Sequence, residues 1–285
     1  MVLDKLASVK VPLGGAELLL VDNASKDSTQ SLIPSEVGEI SIRMLCEKRK
    51  GKTHALNLGL SEARGEFIVF MDDDVLPCSD WLMAFDHVFE CYNANLCAGQ
   101  IRPYWPKPPP DWLLHLERIG KAFGATPIER NRKVQSMPAG GVKGGNFAVR
   151  RNVLGSRSFD SNRFDYGSGG SGGEDTAFAM SLCNEGNSVW FVPEARVEHI
   201  VTLSEMTLSG VYKRYRRIGG AGKQRFLEAH PLLSMAFLKY FVRLGGRLIV
   251  NGVGLIPFLL GSKTHRGAER LVVFSASLGA LFSKF

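Results

Sequence analysis

The sequence predicts an α/β fold in which helices alternate with the strands of a mixed, mainly parallel sheet. Three observations carry this. Two continuous apolar runs, 18–21 and 67–71, each stop at an aspartate, Asp22 and Asp72. Runs this short and this apolar read as strands buried on both faces. Between them Leu56, Leu60 and Ala63 recur at helical spacing, with Gly65 placed where a helix-ending glycine sits. Carboxylates just past strand ends lie where ligands bind in open α/β sheets.

The remaining elements follow in order. Ser79 is positioned to cap a helix carrying Trp81, Phe85, Val88, Phe89 and Tyr92. Leu96, Cys97 and Ala98 make a short strand. Residues 103–110 hold five prolines and read as a loop, as do the polar and basic residues 129–143. The segment 167–173 is glycine-rich, and Glu174 opens a helix that stops at Gly186. Val189 to Val192 is a strand closed by Pro193, and Val197 to Ile200 is a second strand-like stretch.

Composition narrows the class. The chain has 285 residues, 45% hydrophobic and 22% charged, which fits a folded globular protein and excludes a disordered tail, a collagen repeat or a coiled-coil rod. The net charge of +7 is uneven. Residues 1–200 carry 22 basic and 25 acidic side chains, whereas residues 201–285 carry 13 and 3. The basic end suits phosphates or an anionic membrane surface. It contains no recognisable nucleic-acid module, so no nucleic-acid partner is expected. Five cysteines, an odd number with no C-x-x-C pair, exclude a disulfide scaffold or zinc ribbon and fit a reducing compartment. No apolar run follows Asp4 and Lys5, so no signal peptide is expected.

Asp72, Asp73 and Asp74 are the sharpest feature. Three adjacent carboxylates repel one another. At the end of a buried strand they suit a hard divalent cation, Mg²⁺ or Mn²⁺, that also holds a diphosphate. Asp22 ends the earlier strand at the same topological position, so two strands deliver acids to one edge. Glu174 and Asp175 open a helix, where acids complement the dipole and where a general base can also be held. Three look-alike motifs fail. Gly51, Lys52 and Thr53 resemble the end of a phosphate-binding loop, but Cys46 stands where its first glycine belongs. The G-x-G-x-x-G and G-x-S-x-G matches within 167–173 follow no apolar strand.

Five segments in order, LLLVDNASKDST, EKRKGKTHALNLGLSEARGEFIVFMDDD, KGGNFAVRR, GGEDTAFAMSL and VEHIV, resemble the family-2 glycosyltransferases of GT-A fold, over roughly residues 3–220. The resemblance implies an inverting enzyme that moves a sugar from a nucleoside-diphosphate sugar (UDP-, GDP- or dTDP-linked) to a hydroxyl of a glycan or lipid-linked acceptor. It implies Asp22 on the nucleotide base, Lys52 and Asp73 near the nucleotide, and Asp72 and Asp74 as the D-x-D pair for ribose, metal and diphosphate. Gly145, Asn146 and Glu174 fall at the sugar and acceptor, Asp175 at the catalytic base, and His199 at a further metal-side ligand. Leu3 to Val9 matches the end of the family's first helix. The family's central first strand has no counterpart, so an unpaired ladder in mid-sheet is expected. Two alternatives stay open: a catalytically impaired remnant that binds a membrane surface or a partner, and a nucleotidyltransferase making sugar nucleotides.

The organisation expected is a glycosyltransferase domain over 1–225 and a basic, apolar helical region over 226–285. There Lys239, Arg243 and Arg247 recur every four residues beside an apolar face, and Gly245 and Gly246 predict a kink. The uncharged stretches 248–262 and 271–283 have 15 and 13 residues, short of the ~20 a membrane span needs. An interfacial or re-entrant hairpin at the cytoplasmic face of a membrane is expected instead.

Overall fold

The computed structural model describes residues 1–127, 134–161, 173–229 and 234–282. The chain runs α1 (Val2–Leu6), β1 (Glu17–Asp22), α2 (Thr29–Leu32), β2 (Glu36–Val37), β3 (Ile40–Cys46), α3 (Lys52–Glu62), β4 (Phe67–Phe70) and β5 (Val75–Pro77). It continues α4 (Trp81–Cys91), β6 (Leu96–Tyr104), α5 (Asp111–Arg118), β7 (Gln135–Met137), β8 (Phe147–Arg150), α6 (Glu174–Cys183) and β9 (Val189–Ile200). Three helices close it, α7 (Leu208–Ala229), α8 (Met235–Leu259) and α9 (His265–Phe282). Residues 167–172 and 129–133, read above as loops, lie outside the described residues.

The strands form two sheets. One has the order β1-β3-β2, the other β4-β8-β6-β9-β5 with β7 added on β9. Parallel pairing is confined to β1 with β3 and β6 with β9. β1 and β4 both stand at sheet edges, where the unpaired ladder is expected. Both strands are largely half-buried instead of covered on two faces. Side chains still join the two sheets. Leu18 of β1 packs into the same core as Phe67 and Val69 of β4, over Trp81, Phe85 and Phe89 of α4. On the opposite face Leu56 and Leu60 of α3 pack with Ile68 and Phe70.

Three local expectations are corrected. Asp80, not Ser79, precedes α4 as its N-cap. α3 ends at Glu62 with Ala63 as its cap, so Gly65 lies beyond it. β6 is nine residues long and takes in Pro103. Beyond Ala98 β6 pairs only with β9. Ile101 bonds Thr126 on the other edge, and Pro103, two residues on, turns its missing N–H to that same open edge.

The two stretches expected as separate strands around Pro193 are one 12-residue strand, β9. Its register against β6 shifts between Gly99 and Gln100, so the residues after Val192 bulge out. A Cβ on Gly99 would lie 2.2 Å from the Ala195 carbonyl oxygen and 2.3 Å from Asn146 Nδ2. Glycine is therefore what lets β6 close against the bulge.

Helices α7 to α9 build a second core with α5. It contains Trp112, Leu113 and Leu116 together with Leu255, Phe258, Leu271 and Val272. α7 and α9 cross at backbone contact: a Cβ on Gly219 would lie 1.8 Å from the Ala276 carbonyl oxygen, and one on Gly279 1.6 Å from that of Arg216. Residue 226, the boundary expected, lies within α7, which spans Leu208–Ala229. α8 runs unbroken through Gly245, Gly246 and Pro257, without a break at the glycine pair.

Candidate active site

The site is assembled from three chain segments held by one aromatic cluster. Phe70 at the end of β4 stacks on Phe147 of β8, with ring centroids 4.4 Å apart. Phe159 and Phe178 stack at 4.2 Å and meet Phe70 edge-on. Phe70 stands two residues before Asp72, Phe147 two after Gly145, and Phe178 three after Asp175. Packing the rings therefore brings the three polar segments together.

Lys52 is the centre of the charge arrangement. Its ammonium lies 2.8 Å from Asp72 Oδ1, 3.4 Å from Glu174 Oε1 and 4.0 Å from Asp175 Oδ2. Burial opposes its charge, but Asp175, Asp72 and Glu174 outweigh that and hold it protonated. Its position is set from below. Asn23, just past β1, accepts a 2.7 Å hydrogen bond from the Gly51 N–H and donates to the Glu47 and Arg49 carbonyls. Gly51 has φ +136°, a conformation suited to glycine, and starts α3 with Lys52 as its first residue. Glu47 clamps Arg49 through its side chain and its backbone N–H.

Asp175 is the most perturbed carboxylate of the group. Burial pushes it up to about 7; Lys52 pulls the other way, Glu174 and Asp72 add to the rise, and the Gly144 N–H it accepts lowers it. A Cβ on Gly144 would lie 2.0 Å from Asp175 Oδ2, and one on Gly145 would lie 3.2 Å from Asp72 Oδ2. The glycine pair thus fits between the two acids; a side chain at Gly144 would displace the Asp175 carboxylate, and one at Gly145 would press on Asp72.

Asn146 and Glu174, expected at the sugar and acceptor, are both buried. Asn146 is 1% exposed. It donates to the Gln100 and Ala195 carbonyls and accepts from Trp81 Nε1, so it ties the β9 bulge to β6 and α4. Glu174 is 4% exposed and faces Lys52, with its Oε2 buried and unbonded. Asp22 is also buried. Its oxygens accept from the Ser25 N–H and from Gln30 Nε2, and the Ser25 and Gln30 contacts hold it below the usual carboxylate range. Asp73 is exposed.

A metal has a partial donor set here. Asp74 Oδ2 lies 3.4 Å from His199 Nε2, because Val75 of β5 stands opposite His199 of β9. His199 Nδ1 is buried and unbonded. Asp72, expected to share the metal, is turned to Lys52, and among the described residues no group of three His, Cys, Asp or Glu is placed to hold a metal ion. Carboxylate plus imidazole fits a divalent cation that completes its shell from a ligand's phosphate oxygens. Burial first, then Asp72 and Asp73, raise Asp74 against the pull of His199, a cost that a cation would relieve.

Acids and a lysine gathered past the strand ends of a mixed α/β sheet lie where ligands bind in open α/β folds. The family model for glycosyl transferase family 2 matches residues 2–156, and the chain belongs to that family. It is 27% identical over 235 residues to the succinoglycan biosynthesis protein ExoM of Rhizobium meliloti (strain 1021), covering 81% of this chain and 72% of that one. The fold matches S. aureus TarS 1–349 with a TM-score of 0.52, at 12% identity over 98% of this chain and 85% of that one. The same TarS fragment in complex with UDP gives 0.53 at 12% identity, with the same coverage. The fold is therefore that of a glycosyltransferase.

Lys52 and Asp175, far apart in the chain, lie 4.0 Å from one another. Gly144, Asn23 and Asn57 were not singled out by spacing. Asn57 bonds the Phe159 backbone in both directions, which ties Phe159 to α3. Its signal is the closing position of Gly-Lys-x-x-Ala-Leu-Asn.

Proposed function

We propose that the protein is an inverting glycosyltransferase that moves a sugar from a nucleoside-diphosphate sugar to a hydroxyl of a glycan or lipid-linked acceptor. The observation that carries this is the Asp175 carboxylate, buried against Lys52 and Gly144, with its affinity for a proton raised into the range a general base needs. Asp175 takes the proton of the acceptor hydroxyl as that oxygen attacks the anomeric carbon from the face opposite the leaving diphosphate. Lys52 holds Asp72 and supplies positive charge where the diphosphate departs. Asp74 and His199 are the residues that would hold Mg²⁺ or Mn²⁺; such an ion, when bound, offsets charge on the leaving group. Asp22 and Asp73 bound the donor side, and Gly145 lines the sugar side. The UDP in the TarS complex and the polysaccharide named for ExoM support a UDP-sugar donor and a role in polysaccharide synthesis. The basic helical end supports a location at the cytoplasmic face of a membrane.

The test is a panel of UDP-, GDP- and dTDP-sugars scored by release of nucleoside diphosphate, with and without Mn²⁺. Release from one donor class, with anomeric inversion in the product, is expected. One observation favours a second reading, a remnant that binds without turnover: β1 and β4 carry open edges beside the site. Donor binding with no release from any donor supports that reading.

A further inference from the structure

α8 is the one helix among the described residues long and apolar enough to cross a membrane, yet only 17% of its apolar stretch is buried. Its two sides differ. Leu244, Leu255 and Phe258 are buried on the inner side. Val242, Ile249, Val253, Ile256 and Leu260 recur at helical spacing on the outer side and are 53–82% exposed. Lys239, Arg243 and Arg247 are exposed along one flank of that stripe, and Lys263 and Arg266 are exposed just beyond its end. A contiguous apolar stripe of this kind marks a contact surface.

We propose that this outer face of α8 is the protein's docking surface for an anionic bilayer, with the helix lying in the plane of the headgroups. The proposal names the surface behind the membrane location proposed above and does not depend on the transfer reaction. Charge selects the partner. α8 contains no Asp or Glu, so a second copy stacked on the same face offers this row of cations no acidic partner. Phosphate headgroups complement that row while the apolar stripe enters the acyl boundary. Spanning is disfavoured on two grounds. The three bases occupy the first half of the helix and leave 15 uncharged residues, 248–262, fewer than the ~20 a span needs. The inner side is also committed to α9, which packs on α7. An apolar cleft of about 300 Å³ opens between α7, α8 and α9, lined by Tyr212, Leu255, Leu259, Leu271 and Phe274. It extends the apolar surface inward from the stripe.

The test uses the full chain and flotation with two kinds of vesicle, phosphatidylcholine alone and phosphatidylcholine with phosphatidylglycerol. Binding to the anionic vesicles, weakened but not abolished by salt, is expected. I249E with V253E should lower the bound fraction about tenfold or more, because charge is placed in the inserting face. K239Q/R243Q/R247Q should remove the preference for anionic vesicles. Circular dichroism and release of nucleoside diphosphate with a soluble acceptor should not change in either variant. Equal binding to both vesicle types, no binding at low salt, a stable dimer that I249E/V253E dissociates, or protein that resists high salt and alkaline carbonate would each overturn the proposal. Loss of sugar transfer with vesicle binding intact would count against the reaction and leave the surface standing.

Discussion

At the residue scale, Asp175 and Lys52 are bound to one another's chemistry. Asp175→Asn keeps the shape of the side chain and removes the proton acceptor. Transfer should fall ~10²–10⁴-fold with donor affinity kept, as read by single-turnover rates and donor titration. The same substitution should raise stability at neutral pH. The folded-state pKa of Asp175 is raised from 3.8 to about 7, so its charged form is disfavoured by folding. That penalty is absent below the unfolded pKa, grows as pH rises from the unfolded to the folded pKa, and stays at full size above it. The gain should therefore be fully present near pH 8 and vanish near pH 4 in denaturant titrations. The acid limb of the rate profile is expected near pH 7. Lys52→Met removes the group that pulls Asp175 down, so this limb should move to higher pH; an unmoved limb would assign it to another group.

At the element scale, the β9 bulge decides where His199 and the strand end come to rest. Gly99→Ala must push its Cβ into the Ala195 carbonyl and Asn146, and neither is a flexible chain end. A loss of ~1–3 kcal/mol is expected. Asn146→Ala leaves the Gln100 and Ala195 carbonyls and the Trp81 indole N–H without their partner in a buried place, at a cost of about 2–4 kcal/mol. Urea unfolding followed by Trp fluorescence measures both. Because the two residues meet at one point, the double variant should lose less than the two losses added. Independent addition would mean that the bulge does not couple them.

At the scale of the whole molecule, the sheet's strands and their terminal acids were legible because apolar runs that end in aspartate leave few other readings. The buried surroundings of Asn146 and Glu174 were not. A polar side chain reads alike in sequence whether it faces a ligand or satisfies buried carbonyls, and only the register of β6 and β9 decides. The bulge was hidden because Pro193 looked like a strand end, whereas the strand resumes once the extra residues have looped out. The continuity of α8 through two glycines reflects packing against α9, which outweighs their local cost of ~1 kcal/mol each.

The edges of β1 and β4, unpartnered among the described residues, have a consequence in isotope exchange. Along an edge strand the amides alternate between those bonded to the one neighbour and those aimed outward. In deuterium oxide β1 and β4 should therefore show protection that alternates residue by residue, while β6 and β9 near their shared middle exchange slowly throughout. Amide-resolved NMR reads this directly. Uniform slow exchange along 17–22 and 67–70 would show that backbone from elsewhere has filled the gap between the two sheets, and it would mark both walls of that gap strand by strand.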